Sequence, residues 1–286
     1  MKLVRYGDPG AERPGLIDSD GRVRDLSRHI SDVCGEVLEP ASLQKLAGLD
    51  TRELPLVGAS VRLGPCVGRV GKFICVGLNY LDHVRESGAE IPTEPVLFMK
   101  ATSCISGPND PLVIPSCATM VDWEVELGVV IGAVSKNVDE DGALECVAGY
   151  CVVNDVSERG WQLHGTGQWV KGKSADTFGP IGPWMVAREE VKNPQNLDLW
   201  LAVNGEMRQK SSTEQMIFPV KNLVSYISRF MTLHPGDIIS TGTPPGVALG
   251  MKPPKYLRHG DVVTLGIEGL GEQRQRVEGA HGTFNR

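Results

Sequence analysis

The chain has 286 residues, 41% of them hydrophobic, and a formal net charge of −6. That length suits one large domain, or one large and one small, and the acidic balance without any dense Lys/Arg cluster excludes a nucleic-acid surface. No apolar run reaches the length of a membrane span, and the start, Met1-Lys2-Leu3-Val4-Arg5-Tyr6-Gly7, has no hydrophobic signal region, so a cytoplasmic protein is expected.

Residues 1–65 read as a small N-terminal α+β module. A strand is expected at 3–6, then strands at 14–18 and 22–26 around Asp20-Gly21, a hairpin turn signal. A short helix is expected at 42–49. Residues 54–72, rich in Pro and Gly with little periodicity, suit a linker. The larger domain is expected at 66–286. It opens with an apolar strand at 73–77. One or two helical turns follow at 79–87, with Asn79 placed to cap them. Strands then recur at 96–99, 112–114, 123–131, 148–153, 197–203, 237–240, 262–267 and 274–277. The clearest helix covers 219–231, where Val220, Leu223, Val224, Ile227 and Phe230 form one core-facing stripe. Many strands with few helices predict a mostly β fold with some α, closed or rolled, rather than a doubly wound βα array. The seven scattered Cys include no C-x-x-C and read as free thiols, with Cys75, Cys146 and Cys151 expected in the core.

Four constellations carry possible chemistry. In Asp122-Trp123-Glu124-Val125-Glu126-Leu127-Gly128, Glu124 and Glu126 share one face of a strand. Their Cβ atoms then stand about 7 Å apart, close enough to converge on one hard cation; two solvated glutamates would give the same pattern. Asp155 ends the next apolar strand and fits either a third ligand or the N-cap of a following helix. His83 and Glu86 lie at i and i+3, as a general base with its orienting carboxylate or as a surface pair. Lys173, in Lys171-Gly172-Lys173-Ser174, supplies either a charge for an oxyanion or one of several charges on a loop. Thr241-Gly242-Thr243-Pro244-Pro245-Gly246 either holds a carboxylate or makes a tight turn. No nucleophilic Ser or Cys signature accompanies them.

In their order and spacing these segments resemble the fumarylacetoacetate hydrolase family, from about residue 72 to about 278. The matching pieces are Gly77-Leu78-Asn79-Tyr80, His83, Glu86, Phe98-Met99-Lys100, Glu124-Val125-Glu126-Leu127, Asn154-Asp155, Gly172-Lys173-Ser174 and Thr241-Gly242-Thr243-Pro244. The resemblance implies a β-roll catalytic domain, a homodimer, and Mg²⁺ or Mn²⁺ held by Glu124, Glu126 and Asp155. It places His83 and Glu86 on a lid, Lys173 in catalysis, and Arg159, Gln162, Gly242, Thr243 and Lys100 at a small 2-oxo acid substrate. Gly167-Gln168-Trp169, Asp176-Thr177-Phe178-Gly179-Pro180 and Gly250-Met251-Lys252-Pro253-Pro254 are most similar to bacterial members acting on 2,4-diketo-3-deoxy sugar acids. Expected chemistry is therefore metal-dependent hydrolysis of a carbon–carbon bond in a 2,4-diketo acid, with pyruvate as one product. Fumarylpyruvate hydrolase, oxaloacetate decarboxylase and ureidoglycolate lyase activities remain as alternatives on the same centre.

Overall fold

A computed structural model describes residues 1–279; the last seven residues of the segment expected at 66–286 lie outside the described residues. The fold is α+β, with strands predominating. The larger sheet has ten strands. Along its main path it runs Val23–Asp25, Arg13–Ile17, Lys2–Tyr6, Gly179–Ala187, Val147–Asn154, Val125–Ile131, Ile238–Ser240, Phe73–Gly77, Val96–Lys100. Ile105–Ser106 pairs alongside Gly179–Ala187. The path ends at Val23–Asp25 and Val96–Lys100, so the sheet is open and forms no closed barrel. A second sheet runs Glu206–Ser212, Asp198–Val203, Val262–Ile267, Gly271–Gly279, Leu112–Ile114, and packs on the centre of the first.

That packing explains the central strands. Val125–Ile131 and Val147–Asn154 are buried at every position, on both faces. Burying each large aliphatic side chain contributes about 1.5–3 kcal/mol, and Val125–Ile131 is mostly Val, Leu and Ile, while Val147–Asn154 adds three Val and a Tyr. They pair antiparallel with Glu126 opposite Val153 and Val125 opposite Asn154. Glu126 thus stands in the interior. Among the described residues, no helix is long and apolar enough to cross a membrane.

Several expectations meet a different outcome. The stretch 54–72 is irregular, but it lies against the N-terminal strands: Gly64 N donates to Arg5 O, Gly68 N to Val33 O, and Cys66 and Val67 are buried. Helix Val220–Phe230 buries Val220, Leu223, Val224 and Ile227, yet Phe230 is 61% exposed. Phe230 is the last helical residue and packs on the Tyr226 ring, one turn back, at 4.9 Å. Cys75 and Cys151 are core residues, whereas Cys146 is half-buried. Helix Leu81–Ser87 begins after Tyr80, and the Asn79 side chain does not cap it. Instead Asn79 Nδ2 donates to Thr241 O and Phe218 O, tying this segment to two others. Besides three two-residue strands, two long strands were not expected from the sequence. Gly179–Ala187 is broken up by Gly and Pro, and Glu206–Ser212 is almost wholly polar. Pairing on both sides makes the first a strand; the second is an edge whose partner is Asp198–Val203.

Candidate active site

The carboxylates converge because adjacent strand ends are locked together. Asp155 N donates to Glu124 O at 2.9 Å, just beyond the paired Val125 and Asn154. Glu124 N donates to Asn154 Oδ1, and Val125 N to Gln209 Oε1, a residue of the second sheet. Glu124, Glu126 and Asp155 are all buried, and their ligand atoms lie within 4.8 Å of one another. They are neither solvated glutamates nor a helix cap. The cap of helix Arg159–Leu163 is Glu158, whose side chain accepts from Gly160 N.

Cations fill two sides of this cluster. Lys173 ends the short helix Val170–Lys173 and is buried, not a loop charge. Its Nζ donates to Glu124 Oε2 at 2.6 Å and Asp155 Oδ2 at 2.8 Å. Lys100 Nζ donates to Asp155 Oδ1 at 2.5 Å and to Val156 O. Arg159 forks: Nη2 to Glu124 Oε1 at 2.6 Å, Nε to Asp122 Oδ2 at 2.8 Å, and Nη1 to Gln162 Oε1. Burial alone would raise the Glu124 carboxyl, but Arg159 and Lys173 hold it down at about 2. The Lys173 ammonium is held above the usual lysine range, since Asp155 and Glu124 outweigh the effect of burial.

Glu126 differs. Its Oε2 accepts from the Ser240 hydroxyl at 2.6 Å and Gly242 N at 2.9 Å, both neutral donors, and no cation contacts it among the described residues. Burial, then Asp155 and Glu124, push its carboxyl well above the ordinary range. Four carboxylates, Asp122 included, thus face three cations. Such a set of hard oxygens with one uncompensated charge fits a divalent cation.

A cavity of about 480 Å³ opens onto the cluster. Glu124, Glu126, Arg159, Gln162, Lys173 and Thr243 line it, as do His83 and Glu86. His83 Nδ1 stands 3.2 Å from Glu86 Oε2, so the dyad faces the same space as the carboxylates. Glu86 also accepts from Gly246 N at 3.1 Å, and Asp82 Oδ2 from the Ser211 hydroxyl at 2.6 Å; these two bonds hold the helix over the cavity. The Thr243 hydroxyl donates to Val125 O and accepts from Gln209 Nε2, so its polar atom braces the strand. Lys100 and Gly242 stand behind the wall, on Asp155 and Glu126 respectively. Gly242 has φ of 98°, and a Cβ there would meet Asn79 Cβ at 2.9 Å, so the amide reaches Glu126 only from a glycine. The remaining wall includes Phe98 and Trp169, whose rings meet edge to face at 5.2 Å. Lys173 Nζ lies 5.0 Å from the centre of the Phe98 ring.

Sequence reasoning missed Asp122, Ser240 and Gln209. Asp122 was legible: it sits two residues before Glu124 in Asp-x-Glu-x-Glu. Its carboxylate takes Arg159 and the backbone N–H groups of Ala248 and Leu249. Ser240 and Gln209 carried no local signal, because only the sheet pairing and sheet packing bring them to the site.

The comparisons with known proteins agree with this geometry. The family model for the C-terminal domain of fumarylacetoacetate hydrolase matches residues 72–278. A Burkholderia multivorans protein provisionally named a hydrolase is 60% identical, the match covering 98% of this chain and 100% of that protein. A fumarylacetoacetate hydrolase from Exiguobacterium antarcticum superposes with a TM-score of 0.86 at 36% identity, over 98% of this chain and 99% of that one. A maleylpyruvate hydrolase from Sphingobium sp. SYK-6, solved with manganese(II) and pyruvate, gives a TM-score of 0.81 at 28% identity, over 98% and 99%. With a model match over most of its length and the carboxylates, lysine and His–Glu pair gathered on one cavity, the chain belongs to the fumarylacetoacetate hydrolase family.

Proposed function

We propose that this protein is a divalent-metal-dependent hydrolase that cleaves a carbon–carbon bond in a 2,4-diketo acid, releasing pyruvate and a second acid. The observation that carries the reading is a single cavity lined by Glu124, Glu126, Lys173 and the His83–Glu86 pair. The manganese and pyruvate of the Sphingobium relative support both the cation and the product. Held by Glu124, Glu126 and Asp155, Mg²⁺ or Mn²⁺ would supply Lewis acidity to the substrate's 1-carboxylate and 2-oxo group.

The chain's own groups do the rest. Glu86 fixes the His83 ring, and His83 takes a proton from water. The resulting hydroxide adds to C4. The C3–C4 bond then breaks, its electron pair passes to pyruvate as the enolate, and C3 takes up a proton. Lys173, charged and already in place, meets the negative charge that develops on the enolate oxygen. Arg159 and Gln162 form the adjoining polar wall, where a substrate carboxylate or carbonyl finds donors. Decarboxylation of the same class of acid needs no attacking water, so a dyad tethered over the cavity favours hydrolysis. Homodimeric assembly is part of the same proposal and is read by sedimentation.

The deciding experiment gives the purified protein Mg²⁺ or Mn²⁺ and a panel of acids: a 2,4-diketo-3-deoxy sugar acid, fumarylpyruvate, maleylpyruvate, oxaloacetate and ureidoglycolate. Pyruvate and a second acid should appear in equal amounts from at least one diketo acid. Turnover of oxaloacetate or ureidoglycolate alone would replace hydrolysis with a decarboxylase or lyase reading.

A further inference from the structure

The cations of the cavity fall into two kinds. Lys173 and Arg159 are buried and bonded to carboxylates of the cluster. Lys252 also lines the cavity, but it is exposed, and among the described residues it makes no ion pair and no hydrogen bond. It follows the turn Ala248–Gly250, whose Gly250 lies against the Glu86 carboxylate. Lys252 is thus an uncommitted charge on the open side of a space whose inner side holds buried Glu124 and Glu126. Much of the wall is apolar: Leu78, Phe98, Leu163, Trp169, Val247 and Leu249.

Taking the 2-oxo acid reading of the site as given, we infer that Lys252 is a specificity-determining residue that receives a second carboxylate, at the far end of the substrate chain. Several hydroxyls on a substrate tail would lose water against Phe98, Trp169 and Leu249 and find few partners there. Two nearby acceptors are already engaged: Glu86 accepts from His83 and Gly246, and Gln162 Oε1 accepts from Arg159. A carbon chain ending in a carboxylate matches both features, apolar contact along its length and one cation at its end. The preferred substrates are accordingly dicarboxylic 2-oxo acids rather than polyhydroxylated ones.

Binding tests this without requiring turnover. Calorimetry with Mn²⁺-loaded protein would compare 2-oxo dicarboxylic acids of five to seven carbons with 2-oxo monocarboxylic acids of the same length. At the best length, the wild type should bind the diacid about ten- to hundredfold more tightly, as a charged hydrogen bond provides. Lys252→Met should bring that ratio close to one, Lys252→Arg should restore most of it, and added salt should shrink it in the wild type. Equal affinities in the wild type, no binding of either acid, or a ratio that Lys252→Met leaves intact would each overturn the inference. A ratio that behaves as expected without cleavage of any diketo acid would retain Lys252's role and reject the hydrolase reading alone.

Discussion

Glu86 accepts a hydrogen bond from the backbone N–H of Gly246, 160 positions away, at 3.1 Å, while its other contact is His83. One carboxylate therefore both orients the proposed base and fastens its helix to the Thr-Gly-Thr-Pro loop. Removing the base itself is the cleaner test. His83→Ala should cost about 10²–10⁴ in hydrolytic rate, the usual yield of a general base. Manganese affinity should hardly change, because His83 is not among the clustered carboxylates. Stopped turnover assays beside metal titrations separate the two; wild-type hydrolysis in the variant removes His83 from the mechanism.

Glu126→Gln separates charge from shape. The amide oxygen can still accept from Ser240 and Gly242, but the uncompensated charge is gone. Chelator-treated Glu126→Gln should be more stable than chelator-treated wild type, on the order of 1 kcal/mol for each pKa unit relieved. Its manganese affinity and activity should nevertheless fall sharply. Glu124→Ala is the harsher change, since it removes one carboxylate partner from both Arg159 and Lys173, which keep Asp122 and Asp155 respectively, and should cost about 1–3 kcal/mol. A Glu126→Gln protein that binds manganese as the wild type does would remove Glu126 as a ligand.

The same carboxyl sets a pH dependence. Its folded-state pKa lies above its unfolded value, through burial and then the charges of Asp155 and Glu124. A raised group contributes stability that is complete below the unfolded pKa and fades as pH rises through the folded one. The metal-free protein therefore loses this contribution from about pH 4.5 upward, the ordinary glutamate value. Bound cation should offset the loss, so the rise in Tm on adding Mn²⁺ should grow between pH 5 and about pH 8. Thermal shift across that range, with and without chelator, reads it directly; a metal-induced shift that is flat with pH would contradict the assignment.

Lys173→Met keeps the apolar stem and removes a charge bonded to two carboxylates. The rate should fall by about 10² or more, as loss of an oxyanion partner does. Manganese affinity should hold or rise, because the carboxylate cluster becomes more negative. Oxalate, which resembles the pyruvate enolate, should inhibit the variant more weakly. Unchanged kcat and unchanged oxalate inhibition would leave Lys173 a purely structural counter-ion.

Gly77→Ala probes the aromatic wall. A Cβ at Gly77 would stand 2.8 Å from the Trp169 ring, closer than the contact allows. Trp169 must move off Phe98, and overpacking of this kind costs about 1–3 kcal/mol. The expected signature is a raised KM with an intact metal site. If KM holds, the Trp169–Phe98 wall does not touch the substrate.

The sequence alone determined the strand-rich class, the shared face of Glu124 and Glu126, and the i, i+3 pairing of His83 with Glu86. Those are local properties, set by a period of two in strands and about 3.6 in helices; the strand expected at 123–131 begins at Val125, so Glu124 stands just before it and reaches the cluster beside Glu126. Residue order along the chain could not decide burial, or which groups meet. Lys173 reads as one of two lysines in a small polar loop until Glu124 and Asp155 close on it from strands joined through a backbone bond. Glu126 reads like its neighbour Glu124. It becomes the uncompensated carboxylate only because Arg159 and Lys173 reach one and not the other. Strand Gly179–Ala187, with its Gly and Pro, is a strand only because Lys2–Tyr6 and Val147–Asn154 pair with it on both sides. Sheet register and the packing of one sheet on another are long-range choices, and they placed Ser240, Gln209 and Asn79 where they brace the site.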